Sequence, residues 1–177
     1  PELDAFRFAS YCAKEGVGEA EETLENGAAV IAALRKAVNA MDEAEVPAEE
    51  RYLFITPTLH GMIEDMDGDA SRQVLARFAG VALVPHTRFY TAIKQKSGRT
   101  GETEGGYEKD TGAADINFMV IHKGAVIQFE KHVAPKIIDP DQNPDADAWK
   151  FGYRNVGIAD VYQNKTAGVY VSHKAVG

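Results

Sequence analysis

The chain has 177 residues, 45% of them hydrophobic and 26% charged, which suits one compact domain or two small ones and argues against disorder throughout. Its net charge is −8, and no run of Lys and Arg is denser than Lys94, Lys96 and Arg99, so direct binding to nucleic-acid phosphates is not expected. No apolar stretch approaches the ~20 residues that span a bilayer, and the single cysteine, Cys12, rules out an internal disulfide.

The chain opens Pro1-Glu2-Leu3-Asp4, without a methionine and without the basic-then-apolar pattern of a secretory signal. It runs at once into helical spacing, as a cut chain whose first helix began earlier would. Leu3, Phe6, Ala9 and Ala13 predict a helix over 2–15, with Glu2 and Asp4 near its positive end and Gly16-Val17-Gly18 as its stop. Residues 23–44 carry the clearest helical stripe, Val30, Leu34, Val38 and Met41, with Thr23 or Asn26 as cap and Val46-Pro47 as exit. A short apolar strand is expected at 51–55. Thr56-Pro57 starts a short helix over 58–65, Asp67-Gly68-Asp69 breaks it, and a further helix over 71–78 turns Val74, Leu75 and Phe78 inward.

Residues 81–84 read as a buried strand, and 88–93 fit strand or turn. Residues 94–113, with Gly98, Gly101, Gly105, Gly106 and Gly112 and few large apolar side chains, read as a long mobile loop. Strands are expected at 116–122 and 126–133. An Asp- and Pro-rich loop follows at 139–147. A long strand or broken hairpin with Trp149, Phe151 and Tyr153 runs over 149–162, and a last strand over 168–172. Helices first and strands after predict the α+β class.

Enzyme signatures are wanting. Gly16-Val17-Gly18 follows a helix and lacks a third glycine, and nothing forms a nucleophile elbow. His60, His86, His122, His132 and His173 include no pair at zinc-protease spacing, although His122 and His132 could meet if their strands paired. The 139–150 stretch starts like a calcium loop, but Pro144 stands where glycine must turn and Lys150 where a glutamate must ligate. Cys12, inside a helical pattern, reads as a small packed residue. The sequon Asn164-Lys165-Thr166 means little without a signal.

Three stretches, taken in order, resemble the major capsid proteins of tailed bacteriophages and prophages. The first is the long helix leading through Val46-Pro47 into Arg51-Tyr52-Leu53-Phe54-Ile55-Thr56-Pro57. The second is Ala114-Asp115-Ile116-Asn117-Phe118-Met119-Val120-Ile121-His122, continuing to Gln128. The third is Asp145-Ala146-Asp147-Ala148-Trp149-Lys150-Phe151-Gly152-Tyr153-Arg154, followed by Val161-Tyr162 and Gly168-Val169-Tyr170.

The resemblance implies an α+β subunit with a peripheral domain (spine helix and long β strands) and an axial domain (mixed helices and a central sheet). Residues 1–20 and 131–165 would be peripheral, and 21–130 and 166–177 axial. The family's N-terminal arm and extended hairpin loop are not found here. The 139–147 loop would be the peripheral tip, where family members meet around threefold positions, which puts Asp145, Asp147, Trp149, Tyr153 and Arg154 at a subunit interface. Trp149 and Tyr153 would serve equally to pack the sheet.

The implied role is a self-assembling shell subunit of a virion, with copies of itself as partners and scaffolding and portal proteins beside them. No cofactor, catalysis, membrane or sequence-specific nucleic acid is expected. The alternatives are an encapsulin-like cellular shell protein and a small hydrolase using His122 or His132.

Overall fold

The computed structural model describes residues 1–66, 68–97, 105–143 and 145–176, without the side chains of His132 and Arg154. It divides into two compact units, Pro1–Val126 with Asp160–Gly177, and Ile127–Ala159.

In the larger unit, helix α1 (Glu2–Cys12) leads to strand β1 (Gly18–Glu21), helix α2 (Gly27–Glu43), strand β2 (Arg51–Ile55), helices α3 (Pro57–Glu64) and α4 (Asp69–Leu75), and strand β3 (Gly80–Leu83). Strands β4 (Ile93–Ser97), β5 (Gly105–Lys109) and β6 (Ile116–His122) follow, and β9 (Val169–His173) returns after the smaller unit. One sheet has the order β1-β9-β6-β2-β3. β6 runs antiparallel to both its neighbours, and the outer strands β1 and β3 run parallel to theirs.

The near-continuous apolar run of β6 is buried on both faces, as a central strand covered on both sides requires. Phe118 and Val120 join Leu53 and Ile55 of β2 and Tyr170 of β9 against Val30, Leu34, Val38 and Met41 of α2. On another side of the unit, Phe8 of α1 meets Phe54 and Phe89 edge-on, at ring-centroid distances of 5.4 and 4.8 Å. Asn26 caps α2, its Oδ1 accepting from the Ala29 N–H at 2.9 Å. Gly27 opens that helix because a Cβ there would stand 2.2 Å from the Met62 carbonyl oxygen of α3.

The loop from α2 to β2 closes around one buried guanidinium. Arg51, 2% exposed, donates to Pro47 O at 2.8 Å, Val46 O at 2.5 Å and Asp42 Oδ1 at 2.6 Å. Arg77 takes the other Asp42 oxygen at 2.7 Å. Glu45 and Glu50, on either side of the loop, take left-handed backbone with φ of 56°, a conformation that non-glycine residues seldom adopt. The hydrogen bond from Arg51, with the charges of Arg51 and Arg77, holds the Asp42 carboxyl below its ordinary range against a smaller opposing effect of burial.

Three expectations change. The strand at 81–84 is β3, and it is an edge: Val81 and Leu83 are exposed, because an apolar run looks the same whether one neighbour covers it or two. The 94–113 stretch is not a plain loop. β4 and β5 pair antiparallel from Ile93↔Lys109 to Ser97↔Gly105, with the Tyr107 hydroxyl donating to Thr87 O at 2.8 Å. Backbone pairing and Glu108, flanked by Lys94 and Lys96, supply what the missing apolar side chains do not. Residues 98–104 of that expectation lie outside the described residues. Finally, Gly18 begins a strand that nothing in Gly18-Glu19-Ala20-Glu21 announces.

Two stability predictions follow. Arg51→Ala should cost about 3 kcal/mol in urea unfolding, since it strands two loop carbonyls and half of the Asp42 pair. A carboxyl whose folded pKa is depressed stabilises above its unfolded pKa of ~3.9 and ceases to do so as pH falls through the folded value. Wild type should therefore exceed Asp42→Asn in urea midpoint at pH 7, and the gap should narrow below about pH 4.

Candidate assembly surface

The smaller unit is built on two long strands, β7 (Val126–Ile138) and β8 (Lys150–Val161), which among the described residues pair only with each other. Gly152 lies against Lys136 and Gly157 against Phe129 and Glu130, so the strands run antiparallel. A β-strand alternates its faces, and Phe129, Val133 and Ile137, four apart, share one face of β7.

A Cβ at Gly152 would lie 3.6 Å from Lys136 Cβ, and one at Gly157 would lie 2.9 Å from the Phe129 carbonyl oxygen, so the two strands approach closely at both glycines. Phe151 and Tyr153, and further along Val156 and Ile158, are exposed apolar residues of β8. The Asn155 carboxamide oxygen is buried and without a hydrogen-bond partner among the described residues.

Phe129, Val133, Ile137, Phe151, Tyr153, Val156 and Ile158 of this ribbon are 47–74% exposed. An isolated two-stranded ribbon is marginal in water, and apolar exposure on this scale marks an interaction surface.

Of the residues singled out from the sequence, Trp149, just before β8, and Tyr153 on it are 58% and 68% exposed, so neither packs a sheet core within the described residues. Asp145 pairs with Lys150, and its N–H donates to Asn143 Oδ1 at 3.2 Å. Asp147 is exposed at the same tip. The Arg154 side chain and Pro144 lie outside the described residues. Sequence reasoning missed Phe129, Val133, Ile137, Val156 and Ile158 as surface residues. The spacing of Phe129, Val133 and Ile137, four apart along one strand, was the available signal.

The chemistry tested from the sequence falls elsewhere. β6 pairs with β2 and β9, and β7 with β8, so strand pairing does not bring His122 and His132 together. The His132 side chain is outside the described residues. Cys12 faces an open cleft of about 360 Å³ lined also by Lys14, Glu15, Glu19 and Thr91. Burial, with a smaller contribution from Glu19, pushes its thiol up to about 12, so the nucleophilic thiolate is scarce at neutral pH. His173 Nε2 lies 2.7 Å from Glu19 Oε1, and His86 Nε2 lies 3.1 Å from Asp115 Oδ2, while the other Asp115 oxygen, Oδ1, accepts from Lys109. Among the described residues, no three His, Cys, Asp or Glu side chains are placed to hold a metal ion.

No protein-family model matches the chain, and no curated protein matches it. Solved structures do. A chain of Mycobacterium phage Che8 superposes with a TM-score of 0.61 at 13% identity, covering 96% of this chain and 57% of that one. The virus-like particle from Pyrococcus furiosus gives 0.63 at 11% identity, with 96% and 61% covered. The capsid of cyanophage P-SCSP1u gives 0.59 at 16% identity, with 99% and 61% covered. The chain therefore has the α+β fold of tailed-phage capsid subunits, and the resemblance read from its three stretches is borne out at the level of fold. It spans about three-fifths of the length of these chains.

Cys12 should react with an aromatic disulfide reagent at neutral pH far more slowly than a free thiol and reach full reactivity on unfolding in urea. Absorbance kinetics at two urea concentrations check this, and fast labelling of the folded chain would contradict the raised thiol pKa.

Proposed function

We propose that the chain is the body of a structural subunit of an icosahedral phage or prophage capsid, which assembles with copies of itself into pentamers and hexamers around a genome. The observation that carries this is the match of 96–99% of the chain to subunits of capsids and of a virus-like particle. Head-to-tail contacts that close give rings, and rings of five and six tile a closed shell. The apolar ribbon supports a role performed through surfaces, and the net charge of −8 suits a container that must not hold fast to packaged DNA. On this reading the protein is no enzyme, needs no cofactor and resides in the virion.

We assign the long strands of the 127–159 unit to the peripheral domain and the α2-covered sheet to the axial domain. α1, whose Phe8 packs against Phe54 and Phe89, becomes the end of a spine helix where it meets that sheet. Asp145, Asp147, Trp149, Tyr153 and Arg154, at or near the ribbon tip, are assigned to a contact between subunits. Scaffolding and portal proteins are the further partners that such a shell uses.

The likeness to the Pyrococcus furiosus virus-like particle favours a second reading, a cellular shell of the encapsulin kind. Electron microscopy of the protein expressed alone from its complete reading frame tests both. Closed particles of regular size are expected. Neighbouring portal and terminase genes would select the phage reading, and a neighbouring cargo-enzyme gene the cellular one. Soluble monomers with no particles over a range of salt and concentration would refute the shell.

A further inference from the structure

We draw no further inference here: the strongest candidate, the exposed apolar side chains along the β7–β8 ribbon, Phe129, Ile137, Phe151 and Ile158 among them, carries nothing beyond the reading above, because nothing in the structure shows what covers them.

Discussion

The pairing of β6 with β2 on one side and β9 on the other is the constraint from which the larger unit follows. Every residue from Ile116 to Ile121 is buried, so both faces of that strand need cover. α2 supplies it on one face through Val30, Leu34, Val38 and Met41, and Phe8 of α1 packs edge-on against Phe54 of the neighbouring β2 and against Phe89. The polar groups this burial strands are met locally. Asn117 Nδ2 donates to Glu22 O and to Ser172 Oγ, and Ser172 donates to the Glu22 carboxylate, which Lys36 of α2 also holds. The network ties β1's exit to β6 and β9 and leaves the two central strands without an unmet side-chain group among those described.

The α2–β2 loop answers a different need. A helix whose apolar stripe lies on the sheet must hand the chain to β2 in a few residues. The buried Arg51 guanidinium gathers two loop carbonyls and the helix-end carboxylate of Asp42 to make that turn. Two glutamates in left-handed backbone are the conformational cost, offset by charge-assisted hydrogen bonds from a buried guanidinium.

The ribbon obeys the opposite rule. Two paired strands have no second layer among the described residues, so the apolar side chains they carry stay open to solvent until something lies over them. A surface of that kind is expensive in a free molecule and useful in an assembled one. Reactive groups, by contrast, are held quiet: the Cys12 thiol is kept protonated, and Asp42 and Asp115 are spent on arginine, lysine and histidine partners.

By itself, the sequence determined the α+β class, the position of α2 from its 3.6-residue stripe and Asn26 cap, and the strands at Arg51–Ile55, Ile116–His122 and Val169–His173 from their apolar runs. Those signals are local, because hydrophobic period and capping chemistry are properties of neighbouring residues. It also carried the kinship of fold in three ordered stretches. The rest was decided by partners distant along the chain. Gly18–Glu21 is a strand because β9 lies beside it in parallel register. Gly80–Leu83 is exposed because nothing pairs with its outer edge among the described residues. The β4–β5 pairing comes from backbone bonds that composition does not record. The exposure of the ribbon's apolar side chains likewise needed the tertiary structure, since among the described residues β7 and β8 pair only with each other.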